Sequence, residues 1–350
     1  MAFELWDKQV KPGSAKKGMR KILIASDFNI AGQFTYLMRA INKYSPYRAR
    51  CVIWHDDHFQ FDKDIILGET GQVNKEANQL AHEADFFIFG RYIFNFPGVN
   101  FANDGLISRD NTFVRYHGSF LRENGRELRQ YHLDNDVVAV AGCDWTATGR
   151  LAGCFYHIGS YFNDYSDMCI RDVSYCPSYK PGETFLINAG SAGHPSKGYD
   201  FLQETIKKLQ KDGHKIELKL YTNLSHEDFM IEKAKCHATF SGLSAGWGAS
   251  GIEGMWLGQA VLCGIDPWLM TLYPDAPIIP VDKGNLEKEL IMLMEDEGKV
   301  SKLGWEAREW VSRTFSTKRI LKQYLYLIDL IRHRDKYMEG VQELPRLYDL

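Results

Sequence analysis

Gly246-Trp247-Gly248-Ala249-Ser250-Gly251-Ile252-Glu253-Gly254-Met255-Trp256-Leu257-Gly258-Gln259-Ala260-Val261 is the stretch on which the reading of this chain turns. Its glycines let the backbone approach a ligand closely, and a helix expected over Ile252–Leu257 offers unpaired N–H groups to an anion. Glu253 falls in the first turn of that helix. There its carboxylate can accept two hydrogen bonds from a vicinal diol such as the ribose of a nucleotide, the logic used by the ribose-binding acid of dinucleotide folds. The helix dipole alone would also favour an acid at this position. Gly258 turns the chain into a strand, Ala260–Cys263.

The same alternation extends in both directions. Upstream lie a strand at Thr184–Ala189, a helix at Tyr199–Lys211 closed by Asp212-Gly213, and a strand at Lys215–Tyr221. A helix at His226–Lys235 follows, with Ser225 as its N-cap, then a strand at His237–Ser241. Downstream, Leu286–Met294 and a long stretch from Lys302 to about Arg332 are amphipathic. The N-terminal half repeats the pattern. Lys21–Ser26 reads as a buried strand that stops at Asp27-Phe28-Asn29. A helix over Gly32–Lys43 and a strand over Arg50–Trp54 complete a βαβ unit. A helix at Asn74–Glu83 and strands at Phe86–Gly90, Thr112–Tyr116 and Val137–Ala141 continue it. The segment Arg150–Pro181 has no clear period and reads as loop and linker. The expected fold class is α/β, with two doubly wound Rossmann-like domains and an interdomain cleft. The expected division is a flexible lead-in over 1–20, an N-terminal acceptor-side domain over 21–180, a nucleotide-sugar-binding domain over 181–320, and a C-terminal helix over 321–350 packing back on the first domain.

Composition fits that reading. The chain has 350 residues, enough for two cores, and 25% of them are charged, as in a typical soluble protein. A net charge of −3 argues against a dedicated nucleic-acid binder. Seven cysteines without a C-x-x-C spacing suit a reducing compartment and no zinc or redox motif. No apolar run is long enough to span a bilayer, so a cytoplasmic protein is expected.

Three blocks of the C-terminal half resemble glycosyltransferases of the GT-B fold, specifically family 4 of the retaining enzymes (glycosyl transferases group 1). The first runs from Asn188-Ala189-Gly190-Ser191 through Lys197-Gly198-Tyr199-Asp200-Phe201-Leu202. The second is the glycine-rich block with Glu253 and the trailing Leu257-Gly258. The third is Leu303-Gly304 with Ala307-Arg308, Trp310-Val311 and Phe315-Ser316. Looser matches in the first half are Ala31-Gly32-Gln33 and Tyr116-His117-Gly118-Ser119. The pattern departs from the family at two places. Ala245 stands where the first of two glutamates is usual, and Gly190-Ser191-Ala192 stands where an arginine often partners the lysine.

The resemblance implies the following roles. Lys197 contacts the donor diphosphate, Glu253 holds the ribose, and Gly248, Ser250, Gly251 and Ile252 belong to the donor-binding loop and helix. Gly32 lets the first-domain loop approach the donor, and His117 faces the sugar or the reacting centre. His117 and Lys197 are the expected catalytic pair. Arg122, close behind His117, is a candidate contact to a phosphate or the acceptor. His194 and Arg39 are candidate replacements for the missing arginine. No metal is expected to take part, and no cofactor is expected beyond a UDP- or GDP-linked sugar as co-substrate. The family implies retention, whereas Asp27 is the candidate base if the enzyme inverts.

The expected function is therefore transfer of a sugar from a nucleoside-diphosphate sugar to an acceptor hydroxyl. The acceptor stays open between glycan, small molecule, protein and modified DNA. One alternative is a DNA-base-modifying glycosyltransferase acting on a hydroxymethylated base, for which Lys16–Lys21 and Arg115, Arg122, Arg126 and Arg129 would supply basic surface. Another is a non-catalytic nucleotide-sugar or glycan-binding relative, and a further one a sugar-nucleotide epimerase of the same layout.

Overall fold

The computed structural model describes residues 20–29, 32–55, 64–68, 72–116, 124, 127–128, 130–132, 134, 137–141, 155–157, 175–189, 197–222, 224–244, 246–265 and 267–333. The chain divides into two units, one of residues 1–164 with 317–350 and one of residues 165–316.

The first unit is built on a parallel sheet of seven strands in the order β3-β2-β1-β4-β5-β6-β7. They are β1 (Lys21–Ser26), β2 (Arg48–Ile53), β3 (Ile65–Ile66), β4 (Phe86–Gly90), β5 (Thr112–Tyr116), β6 (Val138–Ala141) and β7 (Phe155–His157). Strand β1 lies between β2 and β4, with Leu23 opposite Arg50 on one side and Phe87 on the other. Both faces of such a sheet are covered, which is why β1, β2, β4 and β5 are almost continuously buried rather than alternating. Helix α1 (Gln33–Tyr44) follows β1, and α2 (Lys75–Glu83) precedes β4 with its first turn capped by the Asn74 side chain. The strand β7 falls inside the segment expected to be loop, since three residues are too few to show a period.

The long amphipathic stretch expected from Lys302 to about Arg332 is two helices, α8 (Glu297–Thr314) and α9 (Thr317–Arg332). Helix α8 starts earlier than expected because the Asp296 carboxylate accepts from the amides of Gly298 and Lys299. Helix α9 belongs to the first unit, where Tyr324 is fully buried beside Phe113. Arg115 of β5 is also fully buried, its guanidinium lying between the rings of Phe34 and Tyr324 and bonded to Gln33. Arg115 therefore packs the core and presents no charge to a nucleic acid.

The second unit has a five-stranded parallel sheet in the order β12-β11-β10-β8-β9. Its strands are β8 (Phe185–Ala189), β9 (Ile216–Lys219), β10 (Ala238–Gly242), β11 (Ala260–Cys263) and β12 (Ile279–Pro280). Its helices are α3 (Tyr199–Lys211), α4 (His226–Lys233), α5 (Gly248–Leu257), α6 (Pro267–Leu272), α7 (Leu286–Glu295) and α8. Helix α5 starts at Gly248, four residues before the expected Ile252. Gly248 and Gly251, which suggested a loop, lie inside the helix, and a Cβ on Gly251 would lie 2.5 Å from Trp247 Cβ and 3.4 Å from Ser241 Oγ of β10. A Cβ on Gly254 would lie 2.7 Å from Thr239 Oγ1 of β10.

Candidate functional site

In a parallel α/β sheet, neighbouring crossovers leave in opposite directions where the strand order reverses, opening a crevice beyond the carboxyl ends of those strands. In the second unit that point lies between β8 and β10, followed by the connections into α3 and α5. Six of the residues expected at a donor site are described on these connections and the helix that follows: Lys197, Gly248, Ser250, Gly251, Ile252 and Glu253.

Lys197 ends the first connection. Its carbonyl accepts from the Leu243 amide at 2.9 Å, just past β10. Gly242, at φ 120, leaves room for it, since a Cβ there would meet Lys197 Cβ at 3.2 Å. Gly198 caps α3 in the left-handed region at φ 74. These contacts fix the base of the lysine at the crevice.

Helix α5 leaves the second connection. The Gly251 amide already closes on Trp247 O at 2.8 Å, so the free end of the helix is the amides of residues 248–250. Ser250 is turned toward Lys233, whose Nζ donates to its carbonyl at 2.7 Å and its hydroxyl at 3.0 Å. Ile252 is completely buried and packs the core rather than facing a ligand.

Glu253 sits one turn in, with 5% of its surface exposed. Both carboxylate oxygens have protein partners: Oε1 lies 3.0 Å from His226 Nε2, and Oε2 accepts from Lys233 Nζ at 3.0 Å. Burial alone would raise its pKa, but the Lys233 ammonium and the His226 ring outweigh burial and hold it at about 2. Lys233 is itself fully buried, and its pKa is lowered, chiefly by burial, with Glu253 opposing and the nearby Lys197 charge adding to the effect. Lys197, Lys233, Glu253 and the start of α5 thus share one electrostatic neighbourhood.

Lys233 and His226 escaped the sequence reading because they sit at opposite ends of α4, seven residues apart. Two turns of helix bring both to one face, and that spacing was the available signal. The base of Lys233 is held by a buried polar cluster. Gln259 Nε2 donates to the carbonyls of Lys233 and Cys236, while its Oε1 accepts from Asn188 and Thr239.

In the first unit the order reverses between β1 and β4. Gly32 is the left-handed N-cap of α1, and its amide donates to Asn29 O at 2.9 Å. The Asn29 side chain accepts from the Phe34 amide at 3.2 Å and sits 3.5 Å from the Thr35 amide. The first-turn amides of α1 are therefore largely used within the loop itself. Asp27, at the end of β1, is buried and forms a 2.8 Å ion pair with Arg91, at the end of β4. Burial raises the Asp27 pKa against the opposing pull of Arg91. His117, Arg122 and His194 lie outside the described residues.

No protein-family model and no curated protein sequence matches the chain. Solved structures do. An Anabaena protein, HepE, in complex with UDP and glucose superposes with TM-score 0.59 at 14% identity, covering 89% of this chain and 99% of that one. An alpha-glucosyltransferase in complex with UDP and a 13-mer DNA gives TM-score 0.59 at 12% identity, covering 88% and 99%. A UDP-N-acetylglucosamine 2-epimerase gives 0.52 at 14%, covering 94% and 99%. The fold is GT-B, shared by nucleotide-sugar glycosyltransferases and epimerases. Among the described residues, no helix is long and apolar enough to cross a membrane.

Proposed function

We propose that this chain is a glycosyltransferase that takes its sugar from a nucleoside-diphosphate donor, UDP- or GDP-linked, bound at the strand-order reversal of the second unit. The observation that carries this reading is Glu253. Its ionised carboxylate is fixed from two sides at the crevice, next to a helix N-terminus and a lysine. A carboxylate has about four lone-pair positions, so two protein bonds leave room for a ribose diol. In this reading Glu253 binds the ribose, and Lys197 and the amides beginning α5 bind the diphosphate. Gly248, Ser250, Gly251 and Ile252 shape that end of the helix.

Charge appears on the diphosphate as its bond to the sugar breaks. A fixed ammonium and oriented amides stabilise that charge without reorganising. The family resemblance adds retention, metal independence and roles for Gly32, His117, Arg122 and His194 near the transferred group.

The experiment is a thermal-shift screen of UDP, GDP, ADP and dTDP and their sugars, followed by product analysis with the donor that binds. A ligand at a hundredfold excess over its Kd stabilises the folded state by about 2.7 kcal/mol. A shift with one nucleotide and a sugar product that depends on added acceptor are expected. No shift with any of them would sink the reading. Conversion of the donor sugar without acceptor would move it to the epimerase reading that the third neighbour suggests.

A further inference from the structure

The first unit holds a second constellation. At the carboxyl ends of β1, β2 and β4, a chain of rings runs beside the Asp27–Arg91 ion pair. Phe28 stacks on His55 with centroids 5.1 Å apart. His55 contacts Trp54 at 6.3 Å, Trp54 contacts Phe94 at 5.8 Å, and Phe94 contacts Tyr92 at 5.8 Å. Tyr92 follows Arg91 directly in the chain, and its phenol is pushed up by burial first and by the Asp27 charge second. The Arg91 guanidinium lies 5.9 Å from the Phe28 ring centre.

None of these five rings is fully buried, and Phe28 and Tyr92 are 37% and 41% exposed. Other aromatics of this unit, among them Phe34, Phe87, Phe89 and Phe101, are sealed in the core. Arg91 is held at φ 69, a backbone region that a non-glycine residue enters at a cost. That turn aims its guanidinium back at Asp27. The Asp27 backbone is fixed as well: its carbonyl accepts from the His55 amide at 2.8 Å, and its Oδ1 accepts from the Phe28 amide at 2.9 Å.

We infer that this collar is a carbohydrate site, in which the apolar face of an acceptor hexopyranose lies on the Phe28 and Tyr92 rings and its hydroxyls bond to the Asp27–Arg91 pair. A pyranose presents C–H groups on its faces and hydroxyls at its edge. Half-exposed rings beside a fixed carboxylate and guanidinium match both. The Oδ2 oxygen of Asp27 keeps acceptor capacity beyond its bond to Arg91, and a carboxylate accepts a hydroxyl strongly. The inference rests on the transferase reading for calling this sugar the acceptor; the site itself does not.

The test is saturation-transfer NMR on the full chain with methyl α- and β-glucopyranosides, galactopyranosides and mannopyranosides, with saturating UDP present throughout. One pyranoside should give a signal concentrated on the C–H groups of one face. Phe28→Ala and Tyr92→Ala should each weaken its binding about threefold to tenfold. Asp27→Asn should weaken it about tenfold or more. The UDP thermal shift should stay at the wild-type value in all three variants. Because Tyr92 is exposed, its variant keeps the test open if Phe28→Ala does not fold. Three results would overturn the inference: no signal from any pyranoside, a signal indifferent to all three substitutions, or binding of 4-methylumbelliferone but of no pyranoside. Pyranoside binding in a protein that shows no nucleotide shift would instead overturn the transferase reading and leave the carbohydrate site standing.

Discussion

Lys233 Nζ lies 3.0 Å from Glu253 Oε2, and the lysine is completely shielded from solvent. A buried ion pair costs much in lost hydration, and removing one partner leaves the other charged and alone. Lys233→Met should therefore lower unfolding free energy by about 3–5 kcal/mol in urea titrations. Lys233→Met with Glu253→Met should lose clearly less than the sum of the single changes. Additive losses would mean that the two charges do not stabilise one another.

Glu253 sets a second expectation, in nucleotide discrimination. The wild-type protein should prefer UDP over 2′-deoxy-UDP, or GDP over its deoxy form. A hydrogen bond to a charged group is worth about 1.5–3 kcal/mol, or roughly ten- to a hundredfold. Glu253→Gln keeps the shape of the side chain and should shrink that ratio. Titration calorimetry reads it directly, and an unchanged ratio would refute the ribose assignment.

Lys197 predicts a different selectivity. Lys197→Ala should weaken a nucleoside diphosphate about tenfold while leaving the monophosphate nearly unchanged. Equal weakening of both would place the lysine near the nucleoside instead.

Acid should act on Glu253 in a defined window. Its folded-state pKa is held at about 2, below the ordinary value of 4.5. Its contribution is present above that ordinary value and is lost as pH falls from there toward 2. Melting temperature should drop more steeply across this range in the wild type than in the Lys233→Met, Glu253→Met variant, which has no carboxylate there. Parallel curves would show that the acid lability lies elsewhere.

The alternation of strands and helices was legible because buried parallel strands are short and almost wholly apolar. The strands Phe86–Gly90, Thr112–Tyr116 and Ala260–Cys263 and the helix Tyr199–Lys211 stand where the sequence places them. Two-residue strands such as β3 and β12 carry no period to read. Helix α5 was underestimated because Gly251 serves close packing against Trp247 and Ser241, a tertiary reason that overrides its weak helix propensity. Glu253 was visible by its place in a helical turn. Lys233, His226, Arg91 and the ring collar were not, because each depends on groups brought together from separate strands or helix ends. Arg115 shows the opposite error, a charge read as surface that the fold seals between two rings.

The first unit is discontinuous in the chain, and α9 supplies the ring that closes over Arg115. A ribosome makes the chain in one direction. All seven strands of this sheet emerge early, yet Arg115 and Phe113 wait for Tyr324, which is translated after the whole second unit. During that interval the nascent first unit holds a guanidinium and an apolar surface that Tyr324 does not yet cover. The order of synthesis thus makes the second unit, entirely contained in residues 165–316, the part able to finish first. A stop codon placed before Thr317 would release a chain whose second unit is whole and whose first unit is not.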